Sequence, residues 1–297
     1  MTHGWLNLNK PEGVTSAKAV SIVKRLLGVK KVGHTGTLDP LACGVLPLAI
    51  GEATKLSQYV MADRKSYRFT VEWGKSTSTD DREGEVVAES DKRPSSAEIE
   101  SLLPEFVGEI MQVPPDFSAI KVAGERSYKK AREGRKVELP ARPVQIYSLV
   151  LEHADEQQAT FTVECGKGTY VRSLARDMGE KLGCYGYVTF LQRSQVGIFT
   201  LENAVSLDLS AEGGYVLPPD FGLMSIDVPL DDILAVNFEP DQLHRLKQGQ
   251  SAAPLAALSE FREAKVLRCY DAVNRSFVAL GKPSGSRVKP VRVFNLT

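Results

Sequence analysis

Cysteine is scarce in this 297-residue chain: Cys43, Cys165, Cys184 and Cys269 stand far apart. No C-x-x-C pair and no histidine at zinc-finger spacing accompanies them, which points to reduced thiols and away from a disulfide framework or a structural metal. Long apolar runs are lacking as well; none approaches the ~20 residues of a membrane-spanning helix. The opening residues, MTHGWLNLNKPEG, show no basic segment leading into an apolar one, as a secretory leader would. The expectation is a cytoplasmic protein with no membrane association. Neither G-x-x-x-x-G-K-[ST] nor G-x-G-x-x-G occurs, so no familiar nucleotide cradle is present. No metal-ligand spacing is found, and neither cofactor nor metal is expected.

What is present is a globular composition. A hydrophobic share of 42% excludes a disordered chain, and 24 Gly with 16 Pro excludes a collagen-like one. The length suits one large domain followed by a small one. Lys+Arg 37 against Asp+Glu 37 gives a formal charge of zero, but the charges are segregated. Residues 1–60 hold seven bases and three acids, and residues 121–136 hold seven bases and two acids. Between them, residues 77–116 hold eleven acids and three bases. Any one such run suits a solvated face; two basic blocks flanking an acidic one suit a localised phosphate-binding surface, because phosphate contact depends on the local field.

Residues 16–27 read as an amphipathic helix, N-capped by Thr15 or Ser16, with an apolar stripe of Val20, Val23, Leu26 and Leu27 and Gly28 past its end. Residues 67–73 alternate as a half-buried strand, with Tyr67, Phe69, Val71 and Trp73 on one side. A helix is expected over about 95–107, and strands over 145–151 and 159–165. A second helix spans 170–182, with Arg172 and Arg176 off its apolar stripe, available to a cleft or to solvent. Tyr187–Phe199 reads as a strand pair, and 213–219, with Gly-Gly and Pro-Pro, as a boundary. Beyond it, VLRCYD, SFVALG and RVFNL are short β-like runs.

The segment Gly33-His34-Thr35-Gly36-Thr37-Leu38-Asp39-Pro40 is the densest in conformational constraint. Its glycines reach backbone conformations closed to other residues, and Pro40 keeps Asp39 extended, so one carboxylate is held in a defined orientation. The plain reading is a turn in which Asp39 caps a helix beginning at Pro40; the other is a carboxylate held for chemistry.

GHTGTLDPLACGVL is similar to the signature loop of the TruB family of tRNA pseudouridine synthases, and other motifs follow in the family's order. NKPEGVTS (9–16) resembles its N-terminal basic motif, KSYRF (65–69) its tyrosine-bearing strand, and TSTDDREG (77–84) its T-x-T-x-D-x-x-G loop. FSAIKVAGERSYKKAREG (117–134) resembles the basic insert that closes over RNA, placed at about 117–143. GTYVRSLARDMGEKLG (168–183) and VTFLQRSQVG (188–197) resemble the segments that complete the site. Looser is the likeness of 277–296 to a PUA-like RNA-binding domain. The chain departs from the family at Cys43, where Thr is usual, at Gln192-Arg193-Ser194, where Arg-Arg-Thr is usual, and at Trp73, where an aliphatic is usual.

The resemblance implies an α+β fold: a large mixed, mainly antiparallel sheet flanked by helices (residues 1–225), then a small β-rich PUA-like domain (226–297). It implies a cofactor-free isomerase that converts a uridine in the T-arm of tRNA to pseudouridine on a flipped-out base. Asp39 is then the nucleophile and Arg172 its cationic partner, which favours the ionised carboxylate. Tyr67 stacks on the base and is a candidate for accepting the C5 proton. His34, Tyr67, Tyr170 and Leu191 bind the substrate. The expected partner is tRNA, with no obligate protein partner and a monomeric state. A guide-RNA-directed pseudouridine synthase and a non-catalytic RNA-binding or RNA-chaperone module are the alternatives; the basic block at 121–136 favours an enzyme that grips its own substrate.

Overall fold

Period-two burial sets the architecture. In the strand Arg64–Trp73, Tyr67, Phe69, Val71 and Trp73 are buried while Arg68 faces solvent, as its sequence requires. The computed structural model, which describes residues 2–60, 64–117, 121–122, 125–126, 139–209, 214–257, 261 and 263–296, places this strand inside a ten-stranded sheet. The order is Val205–Ser206, Gly4–Lys10, Cys43–Ile50, Gly186–Val196, Arg64–Trp73, Gln158–Gly166, Arg142–Ala154 and Gly108–Gln112, with Val32–His34 and Phe199–Thr200 paired off this path. Pairing is antiparallel except between the first two strands and between Cys43–Ile50 and Gly186–Val196. Phe69 and Phe161 are register partners and stack with centroids 5.2 Å apart; Trp73 meets Phe161 edge-on at 6.4 Å. Such aromatic pairs each add about 0.5–1.5 kcal/mol beyond area burial.

The helix Ser16–Leu26 begins and ends where its signals place it. Thr15 Oγ1 accepts from the Lys18 amide at 3.0 Å, and Gly28 adopts φ +61° just past the end. Its inward face differs from the expected stripe: Ser16, Ala19, Ile22 and Val23 are buried, while Val20, Leu26 and Leu27 are half-buried. The cause is Ser16, which is drawn inward to the backbone of Leu38. The expected helix at 95–107 is shorter, Ser96–Leu102, opened by a Ser95–Glu98 capping box and followed by a 3-10 turn containing Pro104.

Helix Val171–Lys181 buries Val171, Leu174, Ala175 and Met178 as expected. It also buries Arg172, which is therefore a cleft residue and not a solvated one. The small C-terminal sheet runs Ala235–Phe238, Leu267–Asp271, Phe277–Ser284, Arg287–Val293. Its last strand lies ahead of the expected RVFNL run, and Pro290 is tolerated because the strand is at the sheet edge. The helix Pro240–Lys247 was not expected from the pattern. Phe277, Leu280 and Phe294 pack with Trp5, Val45 and Phe199, seating this sheet on the large one. All four cysteines are free, and among the described residues no helix is long and apolar enough to cross a membrane. Most of the basic block 121–136 lies outside the described residues.

Candidate active site

No helix begins at Pro40. Asp39 sits in a turn closed by the Ala42 amide donating to its carbonyl at 3.1 Å, so the capping reading fails. The turn is fastened from several sides. Ser16 Oγ donates to the Leu38 carbonyl at 2.9 Å and accepts from the Leu38 amide at 2.8 Å. The Gly13 amide donates to the Pro40 carbonyl at 2.8 Å. Lys10, fully buried, donates through Nζ to the carbonyls of Pro11 (2.9 Å), Val14 (2.6 Å) and Pro40 (3.4 Å). Burial pulls its ammonium down to about 8, against the attraction of Cys43 and Asp39. Gly44, at φ +100°, lets the chain pass the neighbouring strand; a Cβ there would lie 2.3 Å from the Arg193 carbonyl oxygen.

These contacts present Asp39 at a cavity of about 240 Å³ whose wall includes Leu38, Tyr67, Tyr170, Arg172 and Leu191. Arg172 Nη2 lies 3.0 Å from Asp39 Oδ2, and its Nη1 lies 3.4 Å from Asp81 Oδ2. Nη1 also donates to the Thr79 carbonyl (2.9 Å) and Nη2 to the Phe117 carbonyl (3.0 Å). The Arg172 and Asp81 side chains are 5% and 3% exposed, whereas Asp39 is 33% exposed, so of the two carboxylates only Asp39 is open to a ligand. Burial raises the Asp81 carboxyl; its Thr79 hydroxyl bond and Arg172 oppose this.

Tyr67, two residues along the strand from Lys65 and on the same face, lines the same cavity. Burial pushes its phenol above the usual value, with the Arg193 guanidinium pulling the other way. That disfavours the phenolate a proton acceptor requires and suits a neutral stacking face. Tyr170 is fixed by its backbone: Gln112 accepts from its amide (2.8 Å) and donates to its carbonyl (3.0 Å). Its side chain makes no helix-capping bond, and the Arg142 guanidinium lies 5.3 Å from its ring centre. His34 is not part of the cavity wall; its Nδ1 accepts from the Gly36 amide at 3.4 Å, and burial lowers its imidazole.

The structure thus brings together Asp39, Tyr67, Tyr170, Arg172 and Leu191, and leaves His34 beside them. Sequence reasoning left out Asp81, for which the TSTDDREG loop was the signal, and Arg193, an arginine at an inward position of an apolar strand. The departures at Cys43 and Gln192 are register partners, and the Gln192 side-chain amide lies 3.8 Å from the Cys43 sulfur.

The same helix ties down the acidic loop a second time. Arg176 pairs with Asp80 at 3.0 Å, and burial pushes the Asp80 carboxyl from 3.8 up to about 6. A carboxyl raised on folding binds its proton more tightly in the native state, so its contribution is fullest below about 4 and is lost as pH rises through 6. Denaturant unfolding from pH 4 to 7 is expected to show the wild type losing on the order of 1–3 kcal/mol relative to Asp80→Asn. Parallel stability profiles for the two proteins would contradict this.

Comparisons with known proteins give the chain's family and fold. By fold, the chain is similar to the solved "Cbf5-Nop10-Gar1 Complex" (TM-score 0.70, 24% identity, 98% of this chain and 84% of that one). The family model "TruB family pseudouridylate synthase (N terminal domain)" matches residues 24–171, and "tRNA pseudouridylate synthase B C-terminal domain" matches 172–212. Similar curated proteins include tRNA pseudouridine synthase B of Rhodopseudomonas palustris, at 47% identity over 99% of this chain and 81% of its own length. That of Ehrlichia chaffeensis is 46% identical over 99% of this chain and all of its own. The chain belongs to the TruB family of pseudouridylate synthases, which are isomerases.

Proposed function

We propose that this protein isomerises a uridine in the T-arm of tRNA to pseudouridine, with Asp39 as the nucleophile. The observation that carries this is the Asp39–Arg172 ion pair in the wall of a cavity also lined by Tyr67 and Leu191. The reaction breaks N1–C1′, turns the base within the pocket and joins C5 to C1′; the proton leaves C5 and N1 gains one. It consumes no oxidant, reductant or nucleotide, so the residues of the cavity suffice.

The target base is paired or stacked in RNA, and extruding it costs a few kcal/mol. The Asp39 carboxylate then bonds transiently to C1′ or to C6, oriented by the Arg172 guanidinium. Tyr67 supplies the aromatic face that retains the detached base, and Tyr170 and Leu191 bound the space in which it turns. His34, outside the wall, is placed for the nucleotide's flanks. Residues 1–225 carry this chemistry, and 226–297 act as a PUA-like second RNA contact. The relatives' names support a tRNA substrate over a guide-directed one.

The test is pseudouridine mapping in an unmodified tRNA transcript incubated with the protein alone. The expected result is a single new pseudouridine, in the T-arm. Modification elsewhere would refute the substrate assignment, and none at all would refute the stand-alone enzyme.

A further inference from the structure

Arg193 is a large, charged side chain that is 1% exposed. Among the described residues no carboxylate lies within ion-pair distance of it. Its guanidinium is held by backbone oxygens instead: Nε donates to Val45 (2.8 Å), Nη2 to Gly36 (3.1 Å) and Nη1 to Thr37 (3.3 Å). Burying a cation without an anion is expensive, and a core strand has cheaper ways to join its neighbour.

The placement of those bonds suggests the reason. Gly36 and Thr37 lead directly into Asp39, in a segment with no helix or sheet of its own to set its path. Gly36 is at φ +141°, with the Arg193 guanidinium 3.7 Å from where a Cβ would stand. On the other side, Arg193 is the antiparallel register partner of Tyr67, so the two side chains lie on the same face of the sheet. In the next strand over, Arg193 pairs in parallel with Gly44, just after the turn. Leu191, two residues back in the same strand, lines the cavity. One rigid planar group therefore holds the approach to the carboxylate from the strand residue that pairs with the base-facing tyrosine.

We propose that Arg193 is a positioning residue that sets the Asp39 turn, acting through the Gly36 and Thr37 carbonyls from the strand that pairs with Tyr67, without contacting the substrate. This rests on the functional reading above. Only a planar fork can hold all of these groups at once; lysine keeps the charge but cannot reach the carbonyls of Val45, Gly36 and Thr37 from one plane. A misplacement of about 1 Å at a reacting group costs roughly 100-fold in rate.

The test compares wild type, Arg193→Lys and Arg193→Met, using tRNA transcript labelled with tritium at uridine C5, since isomerisation frees that hydrogen. Expected for Arg193→Lys are tRNA affinity within about 3-fold of wild type and a single-turnover rate lower by roughly 30- to 100-fold. Arg193→Met is expected to be slower still; if it fails to fold, the lysine variant decides. A wild-type rate in Arg193→Lys overturns the proposal, and so does a loss that falls wholly on tRNA affinity. A crystal structure of Arg193→Lys gives a readout independent of activity. A shifted Gly36–Asp39 turn with the Asp39–Arg172 pair opened beyond 4 Å supports the proposal, and an unchanged pair overturns it. Wild-type protein that releases no tritium would sink the functional reading, leaving that structure to decide the role of Arg193.

Discussion

Replacing Arg172 by methionine is expected to destabilise the protein by about 3–5 kcal/mol and to abolish isomerisation. Arg172 serves both Asp39 and Asp81, and Asp81 is 3% exposed. Removing the guanidinium leaves that carboxylate buried without a counterion, which is the costly way to break a buried pair. The Thr79 and Phe117 carbonyls lose their donors as well. For a chain of this size the stability loss corresponds to a fall in Tm of roughly 6–15 °C. Arg172→Lys restores charge, but one ammonium cannot serve two carboxylates and two carbonyls. It should recover part of the stability and little of the rate. Calorimetry with single-turnover assays reads both, and a Tm within a degree of wild type with full activity would show that the pair is incidental.

Asp39→Asn is expected to lose at least about 10⁴-fold in pseudouridine formation while leaving the fold intact. The amide is nearly isosteric and keeps the turn, whose fastening runs through the backbone of Leu38, Pro40, Gly36 and Thr37 and not through the Asp39 side chain. Folding and RNA affinity should therefore survive. Arg172 would keep Asp81 and its two carbonyl acceptors, so the buried cation is not stranded. This separation of binding from chemistry distinguishes an enzyme from an RNA-binding or chaperone module, in which the same substitution should change neither.

What the sequence revealed depended on how local the signal was. The strand Arg64–Trp73 was legible because every second residue is apolar, and the helix Ser16–Leu26 because Thr15 and Gly28 bracket it. Its buried face was not legible, since Ser16 turns inward for a partner 22 residues away. The helix Pro240–Lys247 escaped notice because only Leu243 and Leu246 in it are buried. At the site, Asp39 stood out because its turn is dense in glycine and proline, while the roles of Tyr67, Arg172 and Leu191 came from family resemblance and not from pattern. Asp81 and Arg193 are defined by what the fold brings to them: Arg172 lies 91 positions from Asp81, and Gly36 lies 157 from Arg193. No window along the chain contains that information.

The most direct measurement is tritium release from C5-labelled tRNA at saturating enzyme, wild type beside Asp39→Asn, with tRNA affinity measured on both. Stoichiometric release by the wild type, none above background by the variant, and equal affinities are expected. Release by Asp39→Asn at the wild-type rate would contradict a nucleophilic role for Asp39.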